Sequence, residues 1–366
     1  MSRPDDRARP PAWPALGLPL VPPYPPMEAR LVERWPAGAG WLFEPKWDGF
    51  RCLAFRDGEA VALQSKAGQP IARYFPEVAE AVGRLGAPRF VLDGELLVPV
   101  EGDFSFDALL QRIHPAPSRI RRLAAETPAV LMVFDLLVDE RGQTLVERPL
   151  VERRERLEVF AGRHLPPDGA VRLSPATTER RVAEGWLADL GALGLDGIIA
   201  KRADAAYAAG ERTAMQKVKR VRTADCVVGG FRFAARGGEV GSLLLGLYDD
   251  DGLLHHVGFT SSFAAAQRKT LRPKLTPLMA PPGFTGRAPG GPSRWSTERS
   301  AEWQPVRPRL VCEVRYDHWS GDRFRHGTTF LRWRPDKAPG QCTFEQVRPR
   351  GRRGGGVEAA RRMASG

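Results

Sequence analysis

The sequence predicts a mixed α/β or α+β fold with a largely β centre over residues 28–222, followed by a small all-β barrel over residues 223–348. Up to residue 222, strand-like apolar runs alternate with stretches that have apolar residues at helical spacing. After that point, short β segments are punctuated by glycine, which is typical of a small barrel. The length of 366 residues agrees, because about 150 residues per domain gives two or three domains.

The two ends of the chain are predicted to lie outside these domains. Residues 1–27 contain nine prolines and are interpreted as an extended arm or surface lead-in, not as a packed element. Residues 349–366 are rich in arginine and glycine and are predicted to form a basic, disordered tail.

The elements of both domains follow from the same patterns. Helices are predicted where apolar residues recur at three- and four-residue spacing, at residues 74–85, 150–165 and 182–194, and one more at 263–275. Strands or strand-turn units are predicted at residues 41–56, 61–68, 90–100, 129–138 and 195–202, and in the barrel at 225–233, 241–260 and 309–319. A hairpin signal stands at residues 250–252, and residues 280–305 are predicted to form a long loop.

The composition is that of a globular protein with a polyanionic partner. The net charge of +12 suits phosphate binding, although a protein that merely happens to be basic is an equal alternative. The four cysteines have no CxxC spacing, which argues against a zinc cluster or a disulfide framework and favours a reducing cytosol. Neither a signal-peptide pattern nor an apolar run of about 18 residues is present, so no membrane span is expected.

Lysine is rare in this chain, with eight lysines among 55 basic residues. Coding bias toward arginine explains the general excess. Under such a bias, the lysines that remain are expected where arginine cannot serve, for example as a nucleophile that must lose its proton. The lysine positions therefore indicate where to look for chemistry.

One segment places a lysine beside a tight turn, a carboxylate and an arginine. It runs Glu44-Pro45-Lys46-Trp47-Asp48-Gly49-Phe50-Arg51. A lysine attacks an electrophile only when it is neutral, so nearby cations or burial must lower the pKa of Lys46. An ordinary Asp-Gly hairpin with surface charges is the alternative explanation.

Further acidic and basic residues recur on predicted strands. Acidic residues stand next to a glycine in residues 91–96 and again in residues 195–201. Lys217 and Lys219 lie on one face of a strand, where two like charges are unfavourable unless an anion such as a triphosphate lies beside them. A solvated strand is the alternative for this pair.

In this order, the segments resemble the motifs of the nucleotidyltransferase superfamily of DNA ligases, RNA ligases and mRNA capping enzymes. The small two-domain bacterial ATP-dependent DNA ligases, of the ligase C type and related to the ligase domain of ligase D, are the most similar group. The matching motifs are Lys46-x-Asp48-Gly49, Ser65-Lys66-x-Gly68, Asp93-Gly94-Glu95, Phe134-Asp135-Leu136-Leu137, Asp196-Gly197 with Lys201, Lys217-x-Lys219 and Arg332-Trp333-Arg334-Pro335-Asp336-Lys337.

The resemblance implies an α+β fold. Its first part would be an adenylation (nucleotidyltransferase, ATP-grasp-like) domain built on antiparallel sheets with flanking helices. An all-β OB-fold domain would follow it. The implied reaction is the sealing of nicks between 3′-OH and 5′-phosphate ends through a lysyl-AMP intermediate, in three successive phosphoryl transfers.

The resemblance also assigns the nucleotide chemistry. Lys46 would attack the α-phosphate of ATP and release pyrophosphate. Phe134 would stack on the adenine, and Glu44 would read the adenine edge. Lys217 and Lys219 would balance the charge that develops on the α-phosphate.

Metal and phosphate contacts follow from the same motifs. Mg²⁺ or Mn²⁺ would be held by Glu95 and Asp196, and Arg51 and Glu95 would contact the ribose or the metal-bound phosphates. Lys66 and Lys201 would complete the nucleotide site. The chain departs from the family pattern at two of these positions, since Asp196 stands where glutamate is usual and Lys66 where arginine is usual.

The OB-fold domain would act twice. In the first step, Asp336 and Lys337 would reach the leaving pyrophosphate, with Arg334 nearby. The barrel would then rotate about a hinge near residues 220–224 to clasp the DNA minor groove.

Several alternatives share parts of this pattern. An mRNA capping enzyme would bind GMP instead of AMP, and an RNA ligase often lacks the OB-fold domain. A NAD-dependent DNA ligase would be longer and carry a cysteine-based zinc module. A non-enzymatic basic barrel would form no adenylate. The favoured reading is a monomeric, cytoplasmic bacterial enzyme that acts on nicked double-stranded DNA; whether Ku or another repair protein also binds is left open by the sequence.

Overall fold

The computed structural model describes residues 13–188, 195–218, 222–234, 238–290, 302–317 and 319–348. The chain divides into two compact units between residues 220 and 221. Several predictions lie wholly or partly outside the described residues: the tail at 349–366, the first part of the arm, the end of the predicted helix at 182–194, the strand position of Lys219, and the start of the predicted hinge at 220–224. None of the described helices is long and apolar enough to cross a bilayer.

The first unit is built on two sheets with helices on their outer faces. Its strands are β1 (Arg30–Val32), β2 (Trp41–Trp47), β3 (Phe50–Asp57), β4 (Ala60–Ser65), β5 (Arg89–Leu97), β6 (Pro99–Val100), β7 (Asp103–Phe104), β8 (Val130–Val138), β9 (Val171–Leu173), β10 (Leu195–Arg202) and β11 (Met215–Val218). Its helices are α1 (Pro76–Arg84), α2 (Phe106–Gln111), α3 (Pro117–Glu126), α4 (Leu150–His164) and α5 (Arg180–Ala188).

The larger sheet has the order β4-β3-β5-β8-β9, and the smaller one has the order β1-β11-β10-β2. Most pairings are antiparallel, as predicted, but β1 joins β11 and β9 joins β8 in parallel. Strand β8, which lies between β5 and β9, is buried over all nine residues, which explains its uninterrupted apolar sequence. Helix α1 begins with a proline, has an acidic residue in its first turn and buries Val78 and Val82 against the sheet.

The arm preceding β1 is more deeply packed than the sequence indicated. Residues 13–27 contain no helix or strand, yet Leu18 and Met27 are buried in the core beside the larger sheet. Tyr24 donates its N–H to Oε1 of Gln64 at 2.8 Å, and Nε2 of Gln64 donates to the Tyr24 carbonyl at 2.6 Å. The expectation that this segment is not packed is therefore wrong for its described part, because a buried glutamine satisfies its backbone.

The second unit is a closed β barrel. It contains β12 (Arg222–Phe233), β13 (Val240–Tyr248), β14 (Leu254–Ser262), α6 (Ala265–Leu275), β15 (Gln304–Pro305), β16 (Val311–Tyr316), β17 (Trp319–Ser320), β18 (Arg323–Phe324) and β19 (Thr328–Trp333). The order β13-β14-β19-β16-β12 closes on itself because β12 also pairs with β13. Five strands closed in this way form an OB fold.

The barrel follows the predicted local signals closely. The turn at residues 250–252 joins β13 to β14, and Gly252 has the positive φ of 75° that this turn needs. The predicted helix over 263–275 is α6. Within the predicted loop at 280–305, the described residues end in the short strand β15, and residues 291–301 lie outside the described part.

Candidate active site

A cavity of about 700 Å³ lies in the first unit, and strands of both sheets line it. Such a volume is in the range of small-molecule sites. The larger sheet contributes β3, β5 and β8, and the smaller sheet contributes β2, β10 and β11. The lining includes eight of the residues that the sequence assigned to the nucleotide site, namely Glu44, Lys46, Arg51, Lys66, Glu95, Phe134, Lys201 and Lys217.

Lys46 lies near the end of β2, where it pairs with Gly197 of β10. Its side chain is 20% exposed and its Nζ lies 2.5 Å from Oδ2 of Asp196. The register of β10 shifts between Leu195 and Gly197, so Asp196 is the extra residue of a bulge. A bulge re-aims the side chain it carries, and here it brings the Asp196 carboxylate to the lysine amine.

The electrostatics at Lys46 differ from the expectation. Burial is the largest influence and lowers the pKa of Lys46, but Asp196, then Glu95 and Asp48, raise it by more, so the pKa lies above its ordinary value. The sequence predicted that nearby cations or burial would lower this pKa. Burial does lower it, but the nearest charged group is the carboxylate of Asp196 and not a cation, so the prediction of a lowered pKa is wrong for these surroundings.

Glu95, on β5, is a second carboxylate at this site. Burial raises its pKa to about 7, against the lowering influence of Arg51 and Lys46. No cluster of three or more potential metal ligands occurs among the described residues. Magnesium nevertheless commonly binds through one or two carboxylates plus substrate phosphates and water, so Glu95 and Asp196 fit such an ion.

Phe134, on β8, forms one wall of the cavity and is 8% exposed. The Nζ of Lys201 lies 4.5 Å from its ring centroid, and the guanidinium carbon of Arg51 lies 4.6 Å from it. Lys201 is buried and pairs with Glu44 at 2.8 Å. The structure therefore links these four predicted residues in one series of contacts, from Arg51 through Phe134 and Lys201 to Glu44.

Arg51 is held by residues that the sequence did not assign. Its Nε and Nη2 each donate to the carboxylate of Asp93 at 2.6 Å, and Asp93 is fully buried. The hydroxyl of Tyr207 donates to the same carboxylate at 2.6 Å. Asp93 was part of a recognised motif without a role of its own, whereas no sequence signal indicated Tyr207.

Lys66 lies at the edge of the cavity and is 59% exposed. It pairs with Glu28 at 3.2 Å, and Arg212 pairs with the same carboxylate oxygen at 2.7 Å. Glu28 and Arg212 line the cavity as well, and sequence reasoning missed both. Lys217, on β11 opposite Ile199, completes the lining; its predicted neighbour Lys219 lies outside the described residues.

The remaining predicted residues belong to the second unit, where they form a cluster of their own. Nη1 of Arg334 donates to both carboxylate oxygens of Asp225, at 2.8 and 2.9 Å. Lys337 donates to Asp225 at 2.8 Å, and Arg334 also pairs with Asp336 at 2.8 Å. The hydrogen bond from Arg334 is the main reason why the pKa of Asp336 falls to about 2. Asp225 is the first residue of the strand predicted at residues 225–233, but the sequence did not assign it to the site.

Comparison with known proteins decides the family. A protein-family model described as "ATP dependent DNA ligase domain" matches residues 29–219, and one described as "ATP dependent DNA ligase C terminal region" matches residues 236–337. The chain belongs to the ATP-dependent DNA ligase family. The two matched regions contain all the motifs on which the resemblance was based.

Proteins named as DNA ligases match this chain over most of its length. It is 43% identical over 351 residues to DNA ligase C2 of Mycolicibacterium smegmatis, and the alignment covers 91% of this chain and 96% of that protein. It is 41% identical over 348 residues to DNA ligase C of Mycobacterium tuberculosis, covering 90% and 95%. A solved structure of a Lig E DNA ligase aligns at 18% identity with a TM-score of 0.52, over 85% of this chain and 99% of that chain, and supports the fold alone.

Membership of this family confirms the predicted α+β architecture, with an adenylation domain followed by an OB-fold domain. It also confirms the predicted enzyme class. The chain is a DNA ligase that uses ATP and a divalent cation and acts in DNA repair. The alternatives of an RNA ligase or an mRNA capping enzyme are not favoured.

Proposed function

We propose that Lys46 is the residue that carries AMP in this ligase. Its Nζ forms a bond to the α-phosphorus of ATP while the bond from that phosphorus to the bridging oxygen breaks and pyrophosphate leaves. The amine must be neutral to attack, whereas Asp196, Glu95 and Asp48 favour its protonated form. A magnesium or manganese ion held by Glu95 and Asp196 would offset these carboxylate charges and polarise the phosphate oxygens.

The walls of the cavity support the nucleotide assignment. Phe134 offers an apolar ring face for adenine, and Lys201 keeps the buried Glu44 carboxylate in place at 2.8 Å to read the adenine edge. Lys217 lines the same cavity as Lys46 and is proposed, with Lys219, to balance the charge that develops on the α-phosphate.

Arg51 and Lys66 are proposed as further contacts to the ribose and phosphates. Because Asp93 fixes the guanidinium of Arg51 through two hydrogen bonds, this cation is preorganised. Lys66 is exposed, and its ion pair with Glu28 at 3.2 Å is one that it could exchange for a substrate phosphate, since a point charge suffices for such a contact.

The second unit is proposed to serve the departure of pyrophosphate. Arg334, Asp336 and Lys337 form one compact cluster whose two cations match a polyphosphate. After adenylation, AMP passes from Lys46 to the 5′-phosphate of a nick, and the 3′-OH then attacks that phosphorus and releases AMP. We propose a monomer that works on nicked duplex DNA in the cytoplasm, which the net charge of +12 suits.

One observation carries the proposal: Lys46 lies 2.5 Å from Asp196 and shares a single cavity with Lys217 and Glu95. The test is incubation with ATP labelled at the α-phosphate, followed by intact-mass and peptide mass spectrometry. An AMP adduct mapped to Lys46 is expected.

Lys46→Arg is the decisive variant, because arginine keeps the charge but does not readily lose its proton. It is expected to form no adenylate and to leave an unadenylated nick unsealed. Lys269→Arg is the matched control, because Lys269 is an exposed residue of α6. The Lys269→Arg protein should form the adenylate at the normal rate. Adenylation of the Lys46→Arg protein would contradict the assignment, and labelling by GTP instead of ATP would contradict the nucleotide.

A further inference from the structure

The cluster in the second unit contains one residue that the proposed reaction does not use. Asp225 lies on β12 and is 9% exposed. Its carboxylate accepts three hydrogen bonds between 2.8 and 2.9 Å, two from Arg334 and one from Lys337. A nearly buried carboxylate that joins two cations is a defined arrangement, not a loose surface pair.

The backbone of Asp225 is fixed on both sides. Its N–H donates to Oε1 of Gln346 at 3.0 Å, and Nε2 of Gln346 donates to its carbonyl at 3.1 Å. The next residue, Cys226, is fully buried in the barrel core. The Asp225 carboxylate therefore projects from a rigid part of the barrel.

The two cations stand on a less regular segment. Arg334 follows the last residue of β19, and Lys337 lies in the turn that comes next. Their side chains are 19% and 21% exposed, so each keeps a solvent-facing part that a ligand could reach. Two like charges on a turn would separate if nothing held them, and the Asp225 carboxylate holds both.

We propose that Asp225 is a positioning residue that presents Arg334 and Lys337 as a preformed pair to the leaving pyrophosphate. This inference rests on the proposed role of that pair in adenylation. Asp225 takes part in no bond making or breaking; it fixes the geometry of the two groups that stabilise the departing charge. Its loss should therefore affect the step that releases pyrophosphate and spare the step that joins the DNA ends.

The test is Asp225→Asn, which keeps the shape and the backbone contacts with Gln346 but removes the charge. The rate constant of adenylation from ATP should fall roughly 10- to 100-fold, as expected for loss of hydrogen bonds to charged groups. Sealing of a nick that already carries AMP should stay within about twofold of the unaltered protein, because that step involves no pyrophosphate. In the reverse direction, more pyrophosphate should be needed to remove AMP from the enzyme.

Another ion pair of the same barrel provides the matched control. Asp249, which directly follows β13, pairs with His255 of β14 at 2.6 Å, and neither residue is assigned to the cluster. Asp249→Asn should leave adenylation, sealing and the pyrophosphate requirement unchanged. A general weakening of the barrel by charge removal would show in this variant too.

The outcomes separate this inference from the proposal on which it rests. Normal adenylation by Asp225→Asn, with Arg334→Ala defective, would overturn the inference alone; normal adenylation by Arg334→Ala and Lys337→Ala would overturn the role of the pair itself. Equal losses in adenylation and in sealing of the adenylated nick would show a merely structural role. Should Asp225→Asn fail to fold, Asp225→Glu, which keeps the charge but displaces it by one methylene, should show the same step-selective loss.

Discussion

Gly49 is the position where the smallest substitution should have the largest effect on adenylation. It lies three residues after Lys46, immediately before β3. A Cβ atom on Gly49 would lie 2.1 Å from the carbonyl oxygen of Leu96, 2.8 Å from Cδ2 of Leu97 and 2.9 Å from Cγ of Glu95. The closest of these atoms belongs to the backbone of β5, so no rotamer change relieves the clash.

The size of the effect follows from these distances. Ordinary contact begins at 3.4 Å, so Gly49→Ala has to separate the turn from β5 by about 1.3 Å. A displacement of about 1 Å at a reacting group can reduce the rate roughly 100-fold, equivalent to about 2.7 kcal/mol. We therefore expect adenylation of Gly49→Ala to be at least about 100-fold slower, measured as the single-turnover rate of AMP attachment.

Gly162 provides the control for this substitution. It lies in α4, and a Cβ there would meet no atom within 4 Å. Gly162→Ala should adenylate normally and gain about 0.5–1 kcal/mol in stability, because alanine favours the helix. A folded Gly49→Ala protein that adenylates at the unaltered rate would refute the reasoning.

Two further predictions concern stability. Arg153→Met should lower the free energy of unfolding by about 3–5 kcal/mol in denaturant titrations, because it leaves the buried Asp135 carboxylate without its partner. In the control, Arg84→Met removes an exposed ion pair on a helix and should change the free energy of unfolding by less than about 0.5 kcal/mol. Similar losses in both variants would contradict the argument from burial. Burial, then nearby arginines, lower the pKa of His256 to about 4 from 6.5, so the unfolded chain takes up a proton between these values and the folded one does not. The neutral His256 therefore stabilises the fold above pH 6.5, and this contribution, up to about 3 kcal/mol, is lost as the pH falls toward 4. His256→Phe should flatten this part of the pH profile of thermal unfolding. An unchanged profile would show that this histidine does not titrate as described.

Local sequence patterns predicted the strands that carry the motifs. The predicted strand at residues 195–202 is β10, and the predicted strand at 129–138 contains the fully buried β8. These predictions succeeded because an uninterrupted apolar run and its turn residues are local properties of the chain. The glycine-punctuated β segments and the turn at residues 250–252 likewise predicted the barrel.

Contacts between distant segments could not be predicted in the same way. Tyr207 and Asp93 are 114 positions apart, and Arg212 and Glu28 are 184 positions apart. Periodicity places a side chain on one face of its own element but does not say which element packs against that face. The partners of the predicted residues were missed for this reason, even where the predicted residues themselves share a cavity.

The direction in which the pKa of Lys46 shifts depends on one contact of this kind, which the sequence did not predict. In a regular antiparallel pairing, Asp196 would point to the face opposite its two neighbours, but the bulge between Leu195 and Gly197 places it beside the lysine amine. The motifs assign cations to this site together with the carboxylates of Glu95 and Asp196, and the fold puts the Asp196 carboxylate next to Nζ of Lys46. In the proposed reaction, the carboxylate that holds the protonated lysine would also be one of the two that hold the divalent ion. Neutralising Asp196 would then remove the main charge that raises the pKa of Lys46, so the position of one bulged residue would couple metal binding to activation of the proposed nucleophile.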